Sequence, residues 1–367
     1  MSVEALFTPF RLGSLELSSR VVMAPMTRSF SPGHVPNSKV IEYYRRRAAA
    51  GVGLIVTEGT TVNHKASNGY PNVPQFFGDA PLAGWRKVVE AVHAEGGKIV
   101  PQLWHVGAVR RLGTEPDGSV PAYGPMEKVK DGQVLVHGMS KQDIDDVVAA
   151  FAQAAVDAKA IGMDGVEIHG AHGYLIDQFF WEGSNQRSDE YGSSLANRSR
   201  FAIELIKAVR IAVGADYPII FRFSQWKQQD YTARLVQTPE ALGELLQPLA
   251  DAGVDIFHCS TRRFWEPEFE GSDLNLAGWT RKLTGKPTIT VGSVGLDGEF
   301  LQFMVNTDKV AQPASPENLL KRLGNDEFDL VAVGRALLVD PDWALKVREG
   351  REQDILPFSR EALTTLA

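Results

Sequence analysis

Eight short runs rich in apolar and β-branched residues punctuate the chain, at 21–25, 53–58, 98–104, 164–169, 218–224, 254–260, 286–292 and 328–334. Most are nearly continuous apolar stretches, as parallel strands covered on both faces require. Stretches of helical period separate them, and several of their ends are legible. Ser140, with Asp143 three residues later, reads as a capping box opening a helix that runs to about Ile161, and Gly162 stands where a C-terminal cap belongs. Thr238-Pro239-Glu240 and Ser315-Pro316-Glu317 each set a hydroxyl before a proline and an acid, the chemistry of a first helical turn. The helical segment 79–95 ends at Gly96-Gly97, directly before the third run. Eight strands alternating with helices predict an α/β chain forming one closed (β/α)8 TIM barrel, a single domain over 1–367, rather than an open sheet.

Three connections are longer than a minimal barrel needs. Residues 107–138 read as a Gly- and Pro-punctuated loop or hairpin, 261–281 as a loop carrying Phe264, Trp265, Phe269 and Trp279, and 306–314 as a turn-rich interruption. The first two follow the third and sixth strands, on the C-terminal face where barrel active sites form. Phe264 and Trp265, among charged neighbours, are expected to fold over that face and line a substrate pocket, the alternative being an exposed contact between subunits.

Composition narrows the chemistry. Lys and Arg number 38 against 45 Asp and Glu, a net charge of −7, so no global basic field exists to hold nucleic acid or an anionic membrane. A lone cysteine, Cys259, excludes disulfide scaffolds and thiolate-held clusters. With no basic, apolar leader and no uncharged stretch of about 18 residues, the chain reads as cytoplasmic.

At the expected strand ends stand Thr27, Gly59, Gln102, Trp104, His169, His172, Tyr174, Arg222, Gly292 and the pair Gly334-Arg335. Any one is weak evidence; their convergence on one barrel face is the signal. Gly292-Ser293 after the seventh strand and Gly334-Arg335 after the eighth occupy the place where barrels bind phosphate. Gln102 offers a donor and an acceptor to a heterocycle edge, and Arg222 could place positive charge near an anionic ring. The imidazoles of His169 and His172 lack further ligands for a metal, so no metal site is expected. As paired donors they suit a substrate oxygen that gains charge, and Tyr174 could deliver a proton. A phosphate-binding lyase or isomerase explains the glycines and Arg335, but leaves Gln102 and the His-His-Tyr set without a role.

The whole pattern resembles the Old Yellow Enzyme family of FMN-dependent ene reductases. The resemblance rests on LFTP at 6–9, RVVMAPMTR at 20–28, VTEGT at 56–60, PQLWHVG at 101–107, GVEIHGAHGYLIDQF at 165–179, NQRSDEYG at 185–192 and VGRALLVDPD at 333–342. It implies a tightly but noncovalently held FMN, with NADPH or NADH docking transiently as hydride donor. It implies an enone, or a nitro compound, as substrate. Pro25, Met26, Thr27, Gly59 and Gln102 would contact the flavin ring, Arg222 its pyrimidine edge, and Gly292, Ser293, Gly334 and Arg335 the phosphate. His169 and His172 match the pair that binds the substrate carbonyl, Tyr174 the proton donor, and Tyr70 and Trp104 the cavity lining. Thr27 stands where another branch carries a redox-sensing cysteine. The family's Tyr- and Gly-rich tail is replaced by DILPFSREALTTLA, and its Arg-Leu-Ser-Pro by Arg222-Phe223-Ser224-Gln225, so one pocket wall must be built differently.

Overall fold

The computed structural model describes residues 2–298 and 309–367. Its centre is a closed barrel of parallel strands, here β1 (Val21–Met23), β2 (Leu54–Thr61), β3 (Lys98–Trp104), β4 (Val166–His172), β5 (Ile219–Lys227), β6 (Ile256–Ser260), β7 (Thr288–Val291) and β8 (Leu330–Val333). The barrel closes where Val331, Ala332 and Val333 of β8 pair with Val21, Val22 and Met23 of β1. Each of the eight predicted runs is a barrel strand. β4 runs to His172 and β5 to Lys227, three residues beyond expectation in both cases. A (β/α)8 barrel is thus the architecture, with helices such as Asp79–Ala94, Lys141–Ala160, Leu195–Val213 and Pro239–Ala252 around it.

The continuous apolar runs follow from burial on two faces. Side chains two apart along a strand share a face. Val22, Leu54, Val56, Val100, Ile220, Ile256, Ile289, Leu330 and Ala332 fill the barrel interior, where Phe10, Leu15 and Leu17 of the antiparallel hairpin Phe10–Leu12 and Leu15–Leu17 join them. The intervening positions, among them Val21, Ile99, Ile168, Phe221 and Val331, pack outward with Val88, Ile144, Phe151 and Leu205 of the helices. Further along the inward positions the chemistry changes to Gln102, Glu167, Arg222 and His258, all buried. An apolar floor thus carries a polar layer under the C-terminal mouth.

Local signals account for the helix ends. Ser140 Oγ accepts from Asp143 N at 3.2 Å while Asp143 accepts from Ser140 N at 2.8 Å, completing the capping box. Thr238 Oγ1 accepts from Ala241 N at 3.3 Å. At 315–317 the helix begins at Glu317, whose N–H reaches Ser315 Oγ at 3.3 Å. The long connection after β3 holds a three-stranded sheet of Ala122–Gly124, Lys128–Lys130 and Gln133–Gly138.

The predicted loop 261–281 is in part a helix. Asn275 accepts from Gly278 N and caps Leu276–Thr284, so Trp279 lies on that helix; nine residues are too short for their period to stand out beside the aromatics. Of the predicted interruption 306–314, residues 306–308 lie outside the described residues. Ala311 bridges to Phe358 and Pro313 to Leu296.

Candidate active site

A cavity of about 360 Å³ opens at the C-terminal mouth of the barrel. Pro25, Met26, Thr27, Gln102, Trp104, His169, His172, Tyr174, Arg222, Gly292, Ser293, Gly334 and Arg335 all border it. The strand ends therefore bring together most of the residues singled out from the sequence. Gly59, paired with Gln102 across the strands, does not itself border the cavity. A Cβ there would lie 2.4 Å from the Trp104 ring, so glycine lets β3 and its tryptophan seat against β2.

At one end of the cavity, Gly292 adopts φ +146°, and a Cβ on it would meet Thr261 Oγ1 at 2.6 Å. Ser293 Oγ donates to Arg262 O at 3.0 Å, and Arg335 donates to Ser293 Oγ at 3.3 Å. This is a tight backbone cradle beside a guanidinium, suited to an anion. On the floor, Gln102 Nε2 donates to Glu167 Oε1 at 2.8 Å, which leaves the amide oxygen for a ligand. Arg222 is buried, donates only a long 3.4 Å bond to Ser260 Oγ, and its Nε has no partner among the described residues. A buried guanidinium so poorly paired is costly unless a ligand accepts from it.

The other end holds the imidazoles. The rings of His169 and His172 lie 5.3 Å apart, and that of Tyr174 lies 5.0 Å from His169. His169 Nδ1 accepts from Ala171 N at 3.3 Å, which puts its proton on Nε2. His172 Nε2 bonds Ser260 Oγ at 2.8 Å. Burial, reinforced by Arg222, holds both rings well below the ordinary histidine range, so both are neutral N–H donors. Burial, with Tyr70 adjacent, pushes the Tyr174 phenol up, so it stays protonated until a strong base meets it. Tyr70 does not border the cavity; it stacks on Trp104 at 5.4 Å and hydrogen-bonds the Tyr174 hydroxyl at 3.1 Å. Among the described residues no cluster of His, Cys, Asp or Glu could hold a metal ion, and no helix is long and apolar enough to cross a membrane.

Residues 5–354 match the model of the NADH:flavin oxidoreductase / NADH oxidase family. The chain belongs to this family. It is 34% identical to 12-oxophytodienoate reductase 1 of Oryza sativa subsp. japonica over 342 residues, 92% of this chain and 84% of the relative. Morphinone reductase, solved in complex with tetrahydroNAD, superposes with a TM-score of 0.79 at 30% identity, covering 99% of this chain and 97% of that one. An Old Yellow Enzyme homologue from Zymomonas mobilis, at 24% identity and TM-score 0.81, covers 98% and 96% and shares the fold. The protein is therefore a flavin-dependent NAD(P)H oxidoreductase of the Old Yellow Enzyme type, and the flavin-free lyase or isomerase reading is set aside.

Besides Tyr70, two more expected wall residues of this oxidoreductase lie elsewhere. Phe264 and Trp265 do not border the cavity. Phe264 N donates to Gly292 O, Asn275 Nδ2 grips Phe264 O at 2.7 Å, and Arg322 donates to Trp265 O at 2.8 Å. These bonds seat Phe264 in the core, with the half-buried Trp265 packed against it. Thr261 and Arg262 of the same loop reach the cavity instead, with Trp226 from the end of β5 and Gln228 and Tyr231 from the turn that follows it. Trp226 stacks on His172 at 4.4 Å and on Tyr231 at 5.4 Å. The divergent tail supplies Leu363, held because Arg28 donates to Ala362 O and Thr365 O.

The turn bearing His172 and Tyr174 has its own support. His172 and Gly173 take φ of +65° and +79°. Gly173 N donates to Asp177 Oδ2 at 2.6 Å, and Asp177 Oδ1 accepts from Lys227 Nζ at 2.8 Å, both side chains fully buried. Neither Asp177 nor Lys227 stands out in the sequence.

Proposed function

We propose that this flavin oxidoreductase holds one FMN noncovalently across the barrel mouth and reduces the activated C=C bond of α,β-unsaturated carbonyl compounds with NADPH or NADH. The observation that carries the reading is one cavity with an anion cradle, an under-bonded buried Arg222 and, beside them, two neutral imidazoles next to a protonated phenol. FMN fits this donor set: Gly292, Ser293, Gly334 and Arg335 would hold the phosphate, and Arg222 and the Gln102 oxygen the ring edge, with Pro25, Met26 and Thr27 along it. When bound, FMN supplies hydride transfer from the nicotinamide to the β-carbon of the substrate.

The protein's own residues supply the rest. His169 and His172, being neutral, donate hydrogen bonds to the carbonyl oxygen without protonating it. Such bonds strengthen as enolate charge grows on that oxygen, so they act on the transition state more than on the substrate. Tyr174 delivers its proton to the α-carbon, and Tyr70 and Gln228, whose Nε2 lies 3.1 Å from the Tyr174 hydroxyl, hold that oxygen in place. A nitro group offers the same donors equivalent oxygens, which adds nitroalkenes and nitrate esters to the substrate class.

Denaturing the purified protein should release about one FMN per chain; a colourless protein that cannot be reconstituted with FMN would overturn the proposal. Oxidation of NADPH or NADH on adding cyclohexenone tests the activity directly. Phenols present an anionic oxygen in the enolate's place, so His169→Ala and His172→Ala should each weaken phenol binding by about 1.5–3 kcal/mol, the worth of a charge-assisted bond. Titration of the phenolate charge-transfer band measures this, and unchanged affinity in both variants would remove the pair from the oxygen site.

A further inference from the structure

Directly under the cavity floor, two side chains that do not border the cavity form a sealed pair. Glu167 and His258 are both fully buried, with His258 Nδ1 at 2.6 Å from Glu167 Oε2. The other carboxylate oxygen accepts from Gln102 Nε2 at 2.8 Å. Strand register places them among the ring-edge residues: Glu167 lies opposite Gln102 and Ile220, and Arg222 opposite His258 and His169. His258 Nε2 has no partner among the described residues. An imidazolium would bury a second N–H there, so the ring is neutral and the pair carries the single negative charge of Glu167. Burial lowers the Arg222 guanidinium and the Glu167 carboxylate raises it, so these two groups feel each other across the barrel.

Resting on the FMN reading above, we propose that Glu167, steadied by His258, is a positioning residue for the flavin edge. An ionised carboxylate only accepts hydrogen bonds, so it fixes the Gln102 amide with its NH2 downward and its oxygen toward the cavity. It also gives Arg222 a counter-charge. A lone buried Arg222 would favour the anionic reduced ring strongly; Glu167 tempers that preference and sets the flavin potential lower. The chain thus tunes its cofactor through a carboxylate that never touches it.

The test is redox titration of bound FMN in the wild type and in Glu167→Gln, which keeps shape and removes charge. Glu167→Gln should bind reduced over oxidised flavin about tenfold more than the wild type does, an upward shift of about 30 mV for a two-electron couple. His258→Gln, which retains a donor to Glu167, should keep the wild-type potential. Should Glu167→Gln fail to fold, the apolar double replacement Glu167→Leu with His258→Leu leaves no buried charge in the pair and should give the same upward shift. A folded Glu167 variant that no longer retains FMN also bears out the positioning role. An unchanged potential in either flavin-loaded Glu167 variant overturns the proposal, as does failure of both to fold, which makes the pair structural. A wild type that binds no FMN overturns the flavin reading instead.

Discussion

Replacing Tyr174 by phenylalanine is expected to slow reoxidation of the reduced enzyme by an enone by about 10²- to 10⁴-fold, the usual cost of losing a positioned general acid. Reduction of the enzyme by NADPH should change little, because no proton has to reach carbon in that half-reaction. Tyr174 is placed for proton delivery, since its ring lies 5.0 Å from that of His169, burial holds the phenol protonated, and His169 and His172 are neutral and already committed as donors. A nitroalkene should be affected less than an enone, since its activated anion can take a proton from solvent. Stopped-flow measurement of the two half-reactions separates these outcomes. Equal slowing of both would show that the hydroxyl matters for packing beside Tyr70 and Trp104 rather than for protonating carbon.

The barrel is legible in the sequence because parallel strands buried on both faces leave continuous apolar runs, and because Ser140, Asp143 and Thr238 carry cap chemistry in their side chains. The site is legible where a polar or glycine residue at a strand end borders the cavity, as at Gln102, His169, Arg222 and Gly292. What stays hidden depends on direction. Phe264 and Trp265 share one local pattern whether they face the mouth or the helices, and the bonds that decide, from Asn275 and Arg322, come from residues eleven and fifty-seven positions away. Trp226 is hidden in the sequence because β5 continues past an irregularity between Phe223 and Lys227, and Gln228 and Tyr231 because they lie in the turn beyond that continuation. Their one signal is a pair of aromatics in a polar stretch just after a strand. Glu167 reads as one more strand residue until register sets it opposite Gln102.

Asp177 and Lys227 lead to the second large effect. Burial pushes the Asp177 carboxyl up and the Lys227 amine down, and in both groups this outweighs their mutual attraction. The pair is therefore a poor source of stability as a pair, yet breaking it is costly, because the survivor is left as an uncompensated buried charge. Asp177→Ala strands the Lys227 ammonium and removes the acceptor of Gly173 N, so it should cost about 3–5 kcal/mol, a large share of the ~5–15 kcal/mol typical of a folded domain. Asp177→Leu combined with Lys227→Met leaves no charge behind and should cost markedly less, although Gly173 N still loses its partner. Denaturant midpoints for the single and double variants measure the difference. The rescued double variant should nonetheless reduce enones poorly, because the turn carrying His172 and Tyr174 through positive φ has lost its anchor. A double variant no more stable than Asp177→Ala would mean that the carboxylate's bond to Gly173, and not the buried charge, carries the energy.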